Sequence, residues 1–522
     1  MRKKITNLLL LVLAAVMLLG GLAACGGNTD PTPGGETGTQ QTGNGSSTWE
    51  TETQPASGSK LIVYDWDRDF DIAGYNIEEG YSAGLWVEAP DDTVSTLIYS
   101  RNAFIEENYG ITVTYDSYAL GTNDDLALVD LVKKDTMTGK SKYELIACNF
   151  GECSRLLNST ETYLSDLYDH ERFPWLDFDN PCWDQSAHSQ LQINNRLYMM
   201  TGDLNLTEKK NIGLLMYNRN LLMNYGGSDA EDELTDMVRD GAWTLSEMAI
   251  MVKDAATLDS GTGEVRTYGL CVRNNRSFYY YIAGCGVRVA DKDDNDIPYL
   301  VIDNEKTLTV VDKLLEFCSL PKYTVEKDGT CFYARYSGDF TKAENTFLNN
   351  NALFYGADLK DVDTFKGKTI DFTYGYLPYP KFNSSQENYL ASINPYFSTI
   401  LVIPDIVSDS VFASFGLQAL GEGSPKITRQ FVEVYCKIRG TLDDLQYDML
   451  SIALEHVTYD PGVVYNWGNV YMGIFVDGYH SEIDGVEYEA IAVSGTNNFK
   501  TLWEAYRNQV EEALKQFLKN VK

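Results

Sequence analysis

The chain has few basic residues for its size: 42 Lys and Arg stand against 75 Asp and Glu, and the formal charge is −33. Phosphate backbones are bound through clusters of Lys and Arg. Such clusters are absent here, so nucleic acid is not an expected partner. The acidic excess fits a solvated surface that keeps the protein in solution.

Closely spaced metal ligands are also scarce. The four histidines are scattered, and none of the nine cysteines forms a Cys-x-x-Cys pair. Because zinc sites use ligands at such short spacings, we predict no metal and no cofactor. The run "DKDDND" at 291–296 has acids at alternate positions, but Asp296 and Ile302 stand where a calcium-binding EF-hand requires Gly and Glu. We interpret it as a solvated turn.

Motifs of the common enzyme classes are missing. There is no Gly-x-Ser-x-Gly, no Walker loop, no His-Glu-x-x-His and no glycine-rich dinucleotide fingerprint after a strand. A glycosidase needs only two carboxylates at the right separation, so that alternative stays open. No repeat of 20 to 50 residues is present, which argues against an array-type adhesin. We expect a protein that is not an enzyme.

Long apolar runs occur only near the start of the chain. Basic residues at 2–4, an apolar run at 8–19 and "LAAC" at 22–25 form a secretory signal pattern over residues 1–24. A membrane-spanning helix needs about 20 apolar residues, so the run is too short to span. The ending is similar to the bacterial lipobox, in which the cysteine is acylated, for example by palmitate. This resemblance implies that Cys25 anchors the mature protein to the extracellular face of the cell membrane.

Residues 25–58 have almost no apolar side chains and cannot form a core. They are mostly Gly, Thr, Ser, Pro, Asn, Gln and acids, with Trp49 as their only large apolar residue. Such a segment behaves as a flexible tether with a root-mean-square reach of about 30 Å. We therefore expect the folded part to stand off the membrane.

Strand and helix patterns alternate in the body of the chain, from residue 59 onward. A strand pattern opens at 60, a helix and a strand follow over 95–118, and another strand covers 143–149. This alternation predicts an α/β fold with parallel strands. Ligands bind beyond the carboxyl ends of such strands. The polar and aromatic residues expected at those ends are Asp65, Trp66, Asp67, Asn149 and Glu152.

The stretch "INNRLYMMTGDLN", residues 193–205, combines a turn signal with a terminal acid. Asn194 and Asn195 lie between alternating apolar and polar residues, and Asn tolerates the left-handed backbone of a two-residue hairpin turn. Asp203 ends the following strand after a glycine. We predict that the two asparagines are scaffold and that Asp203 faces a ligand.

Several short stretches occur in an order that is similar to a known family. They include "AFIEENYGITVTY", "YELIACNFGE", "LYMMTGDLN", "LLMYNRNLL", "GAWTLSEM", "NALFYGADL" and "YGYLPYPK". Together with the lipobox and the tether, they resemble extracellular solute-binding lipoproteins of ABC importers, of the carbohydrate-binding kind related to maltodextrin-binding protein.

The resemblance implies an α/β, two-lobed periplasmic-binding-protein-like (type II) fold with a hinge and an interlobe ligand cleft. Lobe 1 would comprise 59–213 and 377–455, and lobe 2 would comprise 214–376 and 456–522. The chain would cross between the lobes near 214–218 and 374–380. A monomer that closes about this hinge is expected.

Sugars present apolar ring faces and a belt of hydroxyls, so their sites need aromatic side chains and fixed polar groups. The resemblance adds Asp358 and Trp467 to the candidates already named. Trp183 and the run "YYYI" at 279–282 are further candidates, with ordinary packing as the alternative for each.

The sequence therefore predicts capture of a sugar or oligosaccharide outside the cell and its delivery to a membrane permease. A surface-anchored binder of another solute, such as a peptide, and a glycoside-acting enzyme remain the alternatives.

Overall fold

The structure is built around two separate β-sheets, of four and six strands. The computed structural model describes residues 65–75, 82–118, 126–262, 265–272, 276–318, 333–335, 340–365, 368–437, 443–476, 481–483 and 486–521. The signal, the tether with Cys25 and the strand predicted from residue 60 to 64 lie outside them.

The strands are β1 Arg68–Tyr75, β2 Ile111–Tyr118, β3 Leu145–Asn149, β4 Gly213–Asn218, β5 Thr257–Leu258, β6 Val265–Val272, β7 Ala290–Lys292, β8 Pro298–Leu300, β9 Tyr333–Arg335, β10 Ala352–Asp358, β11 Tyr374–Leu377, β12 Ala391–Ser392, β13 Thr399–Val402, β14 Val457–Thr458, β15 Ser481–Ile483 and β16 Val486–Tyr488.

The helices make up most of the remaining described chain. They are α1 Thr93–Tyr109, α2 Ala127–Thr138, α3 Phe150–Leu157, α4 Gln185–Leu191, α5 Leu206–Lys210, α6 Arg219–Gly226, α7 Ala230–Arg239, α8 Leu245–Ala255, α9 Arg276–Gly284, α10 Glu305–Cys318, α11 Phe340–Leu348, α12 Asp361–Thr364, α13 Ser410–Glu422, α14 Pro425–Lys437, α15 Asp444–Glu455, α16 Pro461–Val464, α17 Ile491–Ser494 and α18 Phe499–Asn520. None of the described helices has the length and apolar character needed to cross a membrane.

The first sheet has the strand order β13-β3-β1-β2. Strands β1, β2 and β3 are parallel, with Ile72 opposite Leu145, and β13 runs antiparallel to β3. Residues of its strands such as Phe70, Ile72 and Leu145 are fully buried, as expected for a sheet covered by helices.

The second sheet has the strand order β11-β4-β10-β6-β5, and β9 also pairs with β6. Strands β6 and β10 are parallel, whereas β4 runs antiparallel to both β10 and β11. Gly213 at the start of β4 therefore lies opposite Asp358 at the end of β10. The α/β fold class predicted from the alternation of patterns is confirmed.

Local signals in the sequence account for several boundaries. Helix α1 ends at Gly110, which adopts φ 65° and gives its N–H to the Glu106 carbonyl. Asn194 and Asn195 have φ 54° and 58°, and Ile193 and Arg196 exchange backbone hydrogen bonds across them. The predicted hairpin turn is therefore confirmed. Helix α8 begins after Thr244, whose hydroxyl accepts from the Glu247 N–H at 3.4 Å.

The turn at 291–296 is only partly solvated. It joins β7 to β8, and Asp293, Asp294 and Asn295 are exposed. Asp296 is buried, because its carbonyl and carboxylate accept from the N–H groups of Asn194 and Asn195. The prediction of a solvated turn is therefore correct for Asp293, Asp294 and Asn295 and wrong for Asp296.

The chain passes between the two sheets in three segments, at 205–213, 378–398 and 455–460. The first and second segments are linked by the Ile212–Ile393 bridge, and the second and third by pairing of β12 with β14. Crossings were expected near 214–218 and 374–380, and residues 214–218 and 374–377 are strands of the second sheet. The first crossing therefore comes just before its expected range, and the second begins within its expected range, at residue 378.

Helix α15 was expected in lobe 1 and the segment around Tyr465 in lobe 2, and each contacts residues that were expected in the other lobe. In α15, the Gln446 amide donates to the Tyr217 hydroxyl at 2.6 Å, and its oxygen accepts from the Tyr376 N–H. This helix therefore rests on the second sheet. Near the C-terminus, the Tyr465 hydroxyl donates to the Leu191 carbonyl, and Asn158 donates to the Tyr465 carbonyl at 3.2 Å. Long-range packing, which no local pattern encodes, decides both placements.

Candidate functional site

Strand ends from both sheets and two crossing segments surround one region. Strand β3 ends at Asn149 and β10 ends at Asp358, and each is a carboxyl end of a parallel strand. The first crossing brings Asn211 next to this region, and the second brings Tyr396 and Phe397. Ligands of open α/β sheets bind at such edges, so this is the candidate site.

Asp358 is a nearly buried carboxylate with two partners. The Tyr280 hydroxyl donates to its Oδ1 at 2.5 Å, and Lys360 Nζ lies 3.5 Å from its Oδ2. Burial raises the pKa of Tyr280, so its hydroxyl keeps the proton that it donates. Gly213 makes room for this pair, because a Cβ there would lie 2.8 Å from the Tyr280 ring.

Tyrosine rings line the second-sheet side of the candidate site. Tyr281 meets Tyr379 edge-to-face with centroids 4.7 Å apart, and Tyr279 meets Tyr471 in the same way at the same distance. Tyr280 also packs on Tyr379 at 5.6 Å. The run "YYYI" on α9 therefore contributes to two aromatic groups, with Tyr280 and Tyr281 packed on Tyr379 and Tyr279 packed on Tyr471. The neighbouring rings hold the three tyrosines in fixed orientations.

The second crossing adds an aromatic pair between the sheets. The Tyr396 ring lies 6.0 Å from that of Tyr471, and a Cβ at Gly151 would lie 3.8 Å from it. Phe397 is a large apolar side chain that is 38% exposed, and its ring lies beside Lys360, which contacts Asp358. Sequence reasoning missed both residues. Their signal is two aromatics after a proline, directly before a buried strand.

Asn149 and Glu152 form the start of α3. The Asn149 side chain accepts from the Glu152 N–H at 2.9 Å, and Glu152 Oε2 accepts from the Asn149 N–H at 3.4 Å. This is a capping box. Glu152 is 3% exposed, and its Oε1 has no hydrogen-bond partner among the described residues. Burial raises the pKa of the Glu152 carboxyl to about 7.

Asp65, Trp66 and Asp67 lie elsewhere. They precede β1, and the Trp66 N–H donates to the Tyr109 carbonyl beside the start of β2. They come directly before β1, which begins at Arg68, and the strand that they were predicted to follow, residues 60–64, lies outside the described residues. They therefore lie at the edge of the first sheet opposite Asn149. The Trp66 ring packs on Phe412, with centroids 5.1 Å apart.

The two other tryptophan candidates are core residues here. Trp467 is fully buried, stacks on Tyr465 at an interplanar angle of 11° and packs on Phe517 of α18. Trp183 is 2% exposed, and its Nε1 donates to Gln418 at 3.1 Å. The structure brings neither ring to the cluster around Asp358.

Asp203 is half-buried beside α14. Its N–H donates to the Cys182 carbonyl at 2.8 Å, and its carbonyl accepts from the Thr428 hydroxyl at 2.6 Å. Burial raises the pKa of its carboxyl. These contacts hold its backbone on the first-sheet side, and contact of its carboxyl with a ligand stays a prediction.

A cavity of about 240 Å³ lies at the far edge of the first sheet. Its arginines are neutralised, because Arg172 pairs with Asp405 at 2.8 Å and Arg196 pairs with Asp166 at 3.3 Å. Because β13 runs antiparallel to β3, Asp405 follows the end of the sheet opposite Asn149. This cavity is separate from the candidate site.

Among the described residues, no group of three or more His, Cys, Asp or Glu side chains is arranged to hold a metal ion. Five cysteines are buried and free, namely Cys148, Cys153, Cys182, Cys271 and Cys285.

No family model and no curated protein matches this sequence. Solved structures do match its fold. The galacto-N-biose-/lacto-N-biose I-binding protein of the ABC transporter from Bifidobacterium longum, in complex with lacto-N-biose, is 10% identical, with a TM-score of 0.54 over 88% of this chain and 99% of its own. A cyclo/maltodextrin-binding protein complexed with maltotetraose is 12% identical, with a TM-score of 0.51 over 86% and 96%. The chain thus has the two-lobed type II fold of these substrate-binding proteins.

Proposed function

We propose that this protein captures a sugar or oligosaccharide outside the cell and delivers it to the permease of an ABC importer. The observation that carries the proposal is the arrangement of the Tyr280–Asp358 pair and the Phe397 ring around the Lys360 ammonium at the carboxyl end of β10. The neighbouring Tyr396 lies beside Gly151, just after the end of β3. Sugar hydroxyls require fixed polar atoms, and the apolar faces of sugar rings require flat side chains.

The described residues supply both kinds of contact. Phe397 and Tyr396 would stack against ring faces, and Asp358 would accept hydrogen bonds from ring hydroxyls. Asn149 and Glu152 would contribute from the first sheet, where Glu152 Oε1 is buried without a hydrogen-bond partner among the described residues. The two compared proteins are described as bound to lacto-N-biose and to maltotetraose. Their shared fold supports a saccharide as the ligand class.

The proposal includes a lipid anchor at Cys25, an extracellular location on the membrane, and a monomeric protein. The acidic body and the tether are consistent with a domain that diffuses near a membrane. Replacing Cys25 with Ala should release the protein from the membrane fraction into the medium.

A thermal-shift screen against a broad oligosaccharide panel tests the binding step. A ligand that binds only the folded state raises the midpoint temperature, so at least one saccharide should do so. The hit should then be incubated with the protein and analysed by chromatography. Binding without turnover supports a capture role, whereas hydrolysis of the saccharide would point to a glycoside-acting enzyme. No shift with any saccharide would contradict the proposal.

A further inference from the structure

Lys360 connects the candidate site to both crossing segments. It lies in the turn between β10 and α12, and its Nζ donates to Asn211 Oδ1 at 2.6 Å. The same Nζ is 3.5 Å from Asp358 Oδ2 and 4.6 Å from the centroid of the Phe397 ring. One ammonium group thus contacts the site carboxylate, the first crossing and the second crossing.

The backbone around Lys360 is tied to the first crossing as well. The Leu359 N–H donates to the Ile212 carbonyl at 3.0 Å, and the Lys360 N–H donates to the Lys210 carbonyl at 2.8 Å. The end of β10 therefore cannot shift without moving the first crossing. This arrangement holds the base of the lysine side chain in a fixed place.

Asn211 extends the connection to the second crossing. Its Nδ2 donates to the Phe397 carbonyl at 3.1 Å, and its own carbonyl accepts from the Asn394 N–H at 3.1 Å. Because Asn211 Oδ1 accepts from Lys360, the ammonium orients the amide that bridges the two crossings.

The electrostatics favour coupling between these contacts. The Lys360 side chain is 26% exposed and that of Asp358 is 12% exposed, so water screens their attraction less than at an open surface. A cation over an aromatic face adds a further attraction that grows as water is removed. A ligand that contacts Asp358 or Phe397 would therefore change the interactions that hold Lys360.

We infer that Lys360 is a positioning residue that couples occupancy of the site to the geometry of the crossings and favours the approach of the two lobes. The inference rests on the proposed function for its ligand but not for its geometry. The geometry of the second crossing meant here is the one in which the Tyr396 ring lies near that of Tyr471.

The test compares Lys360→Met, Lys360→Arg and a control, Lys142→Met. Lys142 also lies over an aromatic ring, that of Tyr143 at 5.0 Å, and donates to the Asp116 carboxylate at 2.5 Å, but its side chain is 53% exposed and contacts neither crossing in the pairs described. The measurements are the ligand-free radius of gyration by small-angle X-ray scattering, the melting temperature, and the dissociation rate of the saccharide found in the panel screen.

Lys360→Met should increase the ligand-free radius of gyration and raise the dissociation rate about tenfold, which corresponds to about 1.4 kcal/mol. Lys360→Arg should restore most of the change in radius and in dissociation rate, and Lys142→Met should match wild type. A lowered melting temperature with unchanged radius and dissociation rate would reduce Lys360 to a structural residue and overturn the inference. If the wild type binds no saccharide, the proposed function fails, and the scattering comparison alone decides the role of Lys360.

Discussion

The Tyr280 hydroxyl and the Asp358 carboxylate form a hydrogen bond of 2.5 Å at the end of β10. The two residues are separated by 78 positions in the sequence, and Gly213 on a third segment leaves the space that the ring occupies. The bond fixes which lone pairs of Asp358 remain for a ligand. Hydrogen bonds to charged groups are stronger than neutral ones, so this pair should be rigid.

Tyr280→Phe should weaken saccharide binding about tenfold, or by about 1.4 kcal/mol, because Asp358 loses the donor that orients it. Isothermal titration calorimetry gives the affinity directly. Tyr299→Phe is the matched control, since Tyr299 is 48% exposed on β8. Equal affinities for the Tyr280 variant and wild type would remove the pair from the binding site.

Phe397→Ala should lower saccharide affinity about tenfold while leaving the melting temperature nearly unchanged. The ring is 38% exposed, so its removal creates little cavity, but a stacking face is lost. Tyr447→Ala provides the control, because Tyr447 on α15 is similarly exposed, at 46%, and is not one of the candidate-site residues. A similar loss of affinity in both variants would mean that the effect is not specific to the site.

Glu152 should make the free energy of unfolding depend on pH. Burial raises its pKa from 4.5 to about 7, so between these pH values the unfolded chain loses the proton while the folded chain keeps it. Deprotonation then favours the unfolded state, and stability should fall as pH rises through this window. The loss due to this group is about 1–3 kcal/mol.

Urea unfolding at pH 4.5, 6 and 7.5 measures this effect, and Glu152→Gln should flatten the curve. Glu144 has a pKa raised to about 7 by burial as well and contributes the same trend to both proteins. The informative quantity is therefore the difference between wild type and variant. A difference that does not change with pH would show that the Glu152 carboxyl titrates normally.

Asn195→Val should lower the free energy of unfolding by about 1–2 kcal/mol, because a β-branched residue is strained at φ 58°. Asn195→Gly should retain or slightly increase stability, since glycine adopts this backbone without strain. Both substitutions keep the N–H that donates to Asp296 at 3.2 Å. Chemical denaturation distinguishes the two variants, and equal stabilities would argue against a left-handed backbone at this position.

Local structure was predictable wherever the controlling interaction lies within a few residues. The turn at Asn194–Asn195 and the helix stop at Gly110 follow from backbone conformations that few residue types accept. The order of strands and helices follows from apolar periodicity in the same way.

The candidate site was only partly predictable, because its members meet through long-range packing. Asn149 and Asp358 were expected and lie at strand ends of the two sheets. Trp467 was expected as well, yet the C-terminal helix buries it. Tyr396 and Phe397 carry no strong local signal, since their position depends on where the second crossing runs.

The sequence by itself determined the acidic character, the signal and tether patterns, and the local start and stop points of the elements. The tertiary structure alone decided that β1 starts after Trp66 and that Lys360 contacts both crossings. The physical reason is the range of the interactions. Caps and turns are settled by neighbouring residues, whereas burial and charge pairing depend on segments that meet only after the chain has folded.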